Sequence, residues 1–270
     1  MENIAFIDIL TTMNDLHGSH NSPFMFTCEV ACMDDTSSCD PPRLNVQRTI
    51  AVKMVPEEKI LGNGYSYHGY SNDTIESVSK TDDGWISEKD GLKRIYGILD
   101  VLNRNKVFVV GHGICKFTMT ILNEHFQRVL GESPIEFDDN FVIDTEILAK
   151  LLVDVRKCGN YSLNSLTACL DSRTSYGTTT MQNRVSDIKS LLLKLMDTLG
   201  VSSMEEVSGF IHSEHDIDVF QWGKYKGMRI EDVFNSDRQY FSWILKNRNF
   251  YSEDKDLLRK AEQMMNSEDA

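Results

Sequence analysis

The chain has 270 residues, 41% of them hydrophobic and 26% charged, with a formal net charge of −13. That length buries a substantial core and leaves room for one large and one small domain. It holds no run of about 18 apolar residues, which excludes a spanning helix and a membrane partner, and the acidic balance disfavours tight non-specific binding to a polyphosphate backbone.

Ile4 to Ile7 predict a first strand over residues 4–10. It delivers Asp8 near its C-terminal end, with Leu10 two residues on and on the same face. Residues 24–33 and 46–55 predict a second and third strand in a meander, separated by a polar turn that ends in Pro41 and Pro42. Residues 56–84 read as loop-rich, with Gly62, Gly64 and Gly69. A helix over 87–103 carries Leu92, Ile95, Tyr96, Leu99 and Leu102 on one face, and Ser87 with Asp90 forms its capping box.

A buried strand over 106–110, a helix over 116–130, a strand over 141–143 and helices over 145–153, 162–170 and 183–199 follow. In the last of these Val185, Ile188, Leu191, Leu192 and Leu195 face inward. Residues 200–214 read as a short helix and linker. A strand over 215–220 then enters a hairpin around Gly223-Lys224-Tyr225-Lys226-Gly227. Two helical stretches follow, the second with Tyr240, Phe241, Trp243 and Ile244 as its apolar side, and an acidic helical tail runs from Ser252.

Six cysteines show no short-spaced framework, and Glu2 at the head of a strand is unlike a secretion signal. The expectation is free thiols in a reducing, cytoplasmic compartment. His17, His20, Cys28, Cys32 and Cys39 can be drawn together as a zinc site, but their spacing matches no common zinc pattern. Cys28 and Cys32 fit better as small core residues of the second strand.

Several motifs in order resemble one family. Phe6-Ile7-Asp8-Ile9-Leu10-Thr11-Thr12 is similar to apolar-x-Asp-x-Glu-Thr-Thr, with Leu10 at the glutamate. His68-Gly69-Tyr70-Ser71 is similar to His-Gly-Ile-[ST]. Gly111-His112 to Thr118 is similar to [AG]-His-Asn-x-x-x-Phe-Asp, with Thr118 at the aspartate. Val142-Ile143-Asp144-Thr145 and Tyr161 to Leu166 match two further landmarks. Gln182-Asn183-Arg184-Val185-Ser186-Asp187 is similar to His-x-Ala-x-x-Asp, with Gln182 at the histidine. The ordered set resembles the DEDD (DnaQ-like, proofreading-type) 3′–5′ exonucleases over roughly residues 1–197. Phe220 to Met228 resembles a small Gly-Lys-[YH]-x-Gly module found after exonuclease domains in some bacterial and phage proteins.

The resemblance implies an α/β, ribonuclease-H-like mixed sheet of five strands flanked by helices, over 1–199. A linker or short helix at 200–214 and a small C-terminal α+β module at 215–270 complete the expected organisation. In such enzymes several carboxylates converge on two divalent ions, and a histidine acts as general base. Here Asp8 and Asp187 remain as residual metal ligands for Mg²⁺ or Mn²⁺, while Leu10, Thr118 and Gln182 replace catalytic positions. An apolar side chain cannot hold a hard cation, so an impaired or inactive exonuclease is expected.

Such a protein would keep binding to a nucleic-acid 3′ end, or to a protein partner. The resemblance places the terminal nucleotide against Thr11, Thr12 and Met13. Lys224, Tyr225 and Lys226 suit a phosphate contact beside a stacked base. Alternatives are an active exonuclease that recruits a third acid such as Asp144, and a structural docking subunit. Asp144 also suits a helix cap, and His112 suits a buried, hydrogen-bonded structural role.

Overall fold

The computed structural model describes residues 2–12, 21–33, 43–171, 181–215, 217–220, 223–247 and 255–266. The chain divides into two compact units, Met1–Leu152 with Asn160–Ile211, and Val153–Gly159 with His212–Ala270.

The first unit is built on a six-stranded mixed sheet. Its strands are β1 (Glu2–Thr11), β2 (Pro23–Met33), β3 (Leu44–Val55), β4 (Trp85–Ser87), β5 (Phe108–Gly111) and β6 (Val142–Asp144), in the order β4-β3-β2-β1-β5-β6. β1, β2 and β3 are antiparallel neighbours; β5 runs parallel to β1 and β6 parallel to β5. This is the ribonuclease-H-like arrangement, with one strand more than expected. The extra strand, β4, spans three residues and lies parallel to Lys53–Val55. So short a strand leaves no alternation to read.

Side chains alternate across β1, so the strand serves two layers at once. Ala5, Ile7 and Ile9 join the main core with Phe26, Leu92, Ile95, Leu99, Leu122 and Phe126. That layer is built by α3 (Glu88–Arg104) and α4 (Met119–His125). Ile4, Phe6, Asp8 and Leu10 point the opposite way, toward α8 (Met181–Leu199). Two ion pairs fasten α8 there: Arg184 to Asp8, and Lys189 to Glu29 of β2. In chain order α5 (Thr145–Leu152), α6 (Val155–Cys158, part of the second unit) and α7 (Leu163–Asp171) come between α4 and α8, and α9 (Met204–His212) follows. No helix among the described residues is long and apolar enough to cross a membrane.

Residues 56–84 are more ordered than their glycines suggested. They form α1 (Gly62–His68) and α2 (Asn72–Thr81). The Asn72 amide is the reason: its Oδ1 accepts from Ile60 N–H at 2.8 Å and its Nδ2 donates to the Ile60 carbonyl at 3.1 Å. Ser71 caps α2 by accepting from Thr74 N–H, and Gly69 ends α1 at φ 77°. The helix expected over 116–130 is α-helical only at its centre. Ile114–Thr118 and Phe126–Leu130 are π-helical turns, which hydropathy spacing does not distinguish.

Ser87 caps α3 as expected, accepting from Asp90 N–H at 3.1 Å. The next residue, Glu88, is buried. Its Oε2 accepts from Glu57 N–H, while Oε1 has no hydrogen-bond partner and lies 3.8 Å from His125 Nε2. Burial pushes the Glu88 carboxyl up, against the Glu57 N–H. A raised folded pKa means the folded chain holds that proton more tightly, so stability falls as pH climbs from the unfolded value of about 4.3. His68 and His125, lowered by burial, impose the opposite slope below about 6.5. Glu88→Gln is therefore expected to stabilise the protein by about 1–3 kcal/mol at pH 7.5, with the gain shrinking toward pH 4. Urea denaturation of both proteins across that range checks it.

The second unit holds α10 (Ile230–Ser236), α11 (Arg238–Lys246) and α12 (Lys255–Asn266). Its core is Phe220, Ile230, Val233, Phe234, Phe241, Ile244, Leu257 and Ala261. The expected strand and hairpin reduce, among the described residues, to one bridge between Val219 and Arg229 around turns at 223–228. Among the described residues the unit is therefore helical apart from that bridge. Gly223 and Gly227, at φ 79° and 80°, supply left-handed turns that leave no length for a ladder.

Candidate functional site

Asp8 is 2% exposed on the α8 side of β1. Arg184, 7% exposed, lies across it from the start of α8. Arg184 Nε donates to Asp8 Oδ2, and Nη2 donates to Oδ1 at 3.3 Å. Both carboxylate oxygens are thus engaged by one guanidinium fork, a geometry suited to a carboxylate. Asp187 stands one turn further along α8 and is half-buried. Gln182 lies in the first turn of the same helix.

Leu10, at 1% exposure, belongs to an apolar cluster with Phe24, Met25, Ile60, Ile75, Trp85 and Met181. Met181 opens α8, so the helix that carries Gln182 and Arg184 is seated on Leu10. Its side chain fills a hydrophobic pocket at the position where the resemblance expects a glutamate. Thr118 is buried at the end of the first π-helical turn.

Thr12 is buried and already satisfied by the fold. Its N–H donates to the Ser22 carbonyl, its carbonyl accepts from Leu61 N–H, and its hydroxyl accepts from Ser22 N–H. The Thr11 carbonyl accepts from His68 Nε2. Tyr70 N–H donates to His68 Nδ1, which fixes a neutral ring that clamps the end of β1. Met13, His17, His20 and Cys39 lie outside the described residues. Cys28 is a core residue whose thiol burial pushes up to about 12, and the Cys32 thiol donates to Asn3 Oδ1.

Asp144 takes the capping position expected of it as one alternative. Its carboxylate accepts from Gly113, Cys115 and Glu146 N–H. Register puts it on the opposite face from Asp8. Phe6 aligns with Val110 and Ile143, so Asp144, aligned with Gly111, shares the side of Ile7. His112 is held by the Thr145 hydroxyl at 3.0 Å and the Tyr161 carbonyl at 2.9 Å, the structural role expected of it.

Among the described residues, no three His, Cys, Asp or Glu side chains converge as metal donors. Of the six cysteines, Cys28, Cys32 and Cys115 are free thiols, but Cys158 and Cys169 are disulfide-bonded, against expectation. Their spacing matches no framework that would have flagged them.

In the second unit, Lys224 bonds Asp237 at 3.2 Å and lies 4.6 Å over the Tyr225 ring. The Tyr225 hydroxyl donates to the same carboxylate, and Lys226 donates to the Gly159 carbonyl. Trp243, placed by spacing on the apolar side of α11, is instead 46% exposed.

Comparisons with known proteins agree with this architecture. A family described as Exodeoxyribonuclease X-like C-terminal matches residues 220–249. No curated protein matches the chain. Among solved structures, exonuclease I of E. coli in complex with a dT13 oligonucleotide has a TM-score of 0.55 at 15% identity, covering 73% of this chain and 41% of that one. An ExoI/SSB-Ct complex gives 0.55 at 12%, covering 78% and 43%. Exonuclease I from Methylocaldum szegediense gives 0.52 at 13%, covering 73% and 41%. The chain spans about two-fifths of the length of these structures. The likeness shows an exonuclease fold.

Proposed function

We propose that this exonuclease-fold chain binds single-stranded nucleic acid without hydrolysing it. The observation that carries this reading is the Arg184 guanidinium on Asp8. Metal-assisted hydrolysis needs several free carboxylate oxygens around the reacting phosphate. Here one acid is engaged by a cation and its neighbour two residues on is Leu10 inside an apolar cluster. The residues present do not fit a pair of Mg²⁺ or Mn²⁺ ions, and Asp144 cannot be recruited through the sheet from its other face.

The same substitutions favour an anion. A fixed cation near Asp8 and the loss of a carboxylate at Leu10 both lower the electrostatic cost of bringing a phosphate close. Exonuclease I of E. coli has been solved with oligonucleotides, which supports the choice of ligand class.

Labelled single-stranded DNA and RNA incubated with the full chain in Mg²⁺ or Mn²⁺ should stay intact, with Asp8→Ala indistinguishable from the parent. Metal-dependent shortening by the parent that disappears in an Asp8→Ala chain shown by circular dichroism to be folded would overturn the reading in favour of an active exonuclease. Absence of salt-dependent affinity for either polymer would leave a protein-docking role.

A further inference from the structure

We propose that His125, Glu88 and Arg128 form a proton-operated latch: when the buried histidine takes up one proton, it lets go of Arg128 and closes on Glu88. The three residues belong to the layer of α3 and α4, on the side of the sheet opposite the Asp8 pocket.

Proton counting fixes the resting state. His125 Nδ1 lies 2.8 Å from the Ile121 carbonyl, which can only accept, so Nδ1 carries the proton. Nε2 is left with a lone pair, and Arg128 Nη2 donates to it at 2.8 Å. The resting ring is therefore neutral and leans on a cation. Glu88 faces the same nitrogen from the first turn of α3, with Oε1 3.8 Å from Nε2. Its Oε2 accepts from Glu57 N–H at 2.6 Å, but Oε1 has no donor. Among the described residues it is the one buried carboxylate oxygen in that condition. A buried acceptor without a donor is costly, and a proton on Nε2 would supply the missing donor.

Nε2 cannot accept from Arg128 and carry a proton at once. Protonation turns it into a donor, repels the guanidinium and leaves Glu88 Oε1 as the acceptor beside it. Arg128 has room to leave, since it is exposed on the π-helical turn Phe126–Leu130. His125 and Glu88 are both buried and stay. The charges that act on the pair come from four segments. Glu57 and Glu58 follow β3, Glu88 opens α3, Glu124 precedes the ring on α4, and Arg128 lies one turn after it. Once the single cation has swung out, only acids remain to favour the imidazolium. Burial holds the His125 pKa below its ordinary value and Arg128 adds to this, against the Ile121 carbonyl, Glu124 and Glu58. The latch thus keeps its Arg128 state at neutral pH and turns over in the acid range.

The test follows side-chain nitrogen-15 signals of the full chain by NMR, with circular dichroism to show that it stays folded. At neutral pH His125 should be the Nδ1–H tautomer. It should gain its second proton below the ordinary histidine value of about 6.5, and the Arg128 guanidinium signal should move with the same midpoint. Arg128→Met should raise the His125 midpoint by about one pH unit, and Glu88→Gln should lower it by about as much. In His125→Gln the Arg128 signal should no longer respond to pH over this range. An Arg128 signal that ignores the His125 titration, or a midpoint that Glu88→Gln leaves in place, would overturn the latch. So would a His125 that stays neutral until the chain unfolds.

Discussion

Arg184→Ala is expected to destabilise the first unit by about 3–5 kcal/mol. Asp8 is 2% exposed, and removing its partner leaves a buried carboxylate facing β-sheet and helix without a counter-ion. Asp8→Ala should also be costly, because it removes the carboxylate that faces a buried guanidinium. The two losses should not add. Replacing both, as Asp8→Leu with Arg184→Met, removes the desolvation cost of both charges and should recover most of the stability, since a buried ion pair is often no better than a well-packed apolar pair. Urea unfolding of the four proteins completes the cycle. A loss below about 1 kcal/mol in Arg184→Ala would mean the ion pair does not hold the helix.

Hydrolysis should return when the pocket is rebuilt. With Leu10→Glu, Thr118→Asp, Gln182→His and Arg184→Ala combined, we expect metal-dependent trimming of single strands at least about 10²-fold above the parent, the lower end of what a general base supplies. Arg184→Ala is the necessary member, because an ion cannot share both Asp8 oxygens with a guanidinium. Leu10→Glu alone should only destabilise, since it buries a charge among Phe24, Ile60, Ile75 and Trp85. A folded quadruple variant that binds Mn²⁺ yet leaves DNA intact would show that the fold lacks something besides these side chains.

Much of this was legible in the sequence. Strand β1 announced itself by its apolar run, and Leu10 by standing at a glutamate position. Arg184 was equally visible, at the alanine of the His-x-Ala-x-x-Asp pattern. Its meaning was not, because a long side chain at a small-residue position gains a partner only when the helix is laid over the strand. The face of Asp144 likewise depends on inter-strand register, which hydropathy does not encode. Trp243 shows a third limit. Spacing groups it with Phe241 and Ile244 on one side of α11, but a small unit closes its core on the central residues and leaves the flank at the rim.

The fastening of α8 to β1 has a consequence during synthesis. Asp8 and Arg184 are 176 residues apart in the chain. Until the ribosome has released α8, the Ile4, Phe6 and Leu10 side of the strand has no lid, and the nascent chain carries a greasy surface with a bare acid in its middle. Long-range closure of this kind is slow and exposes the growing chain to aggregation. Truncations that stop before Met181 should therefore engage chaperones, and those that extend past Leu199 should be released from them.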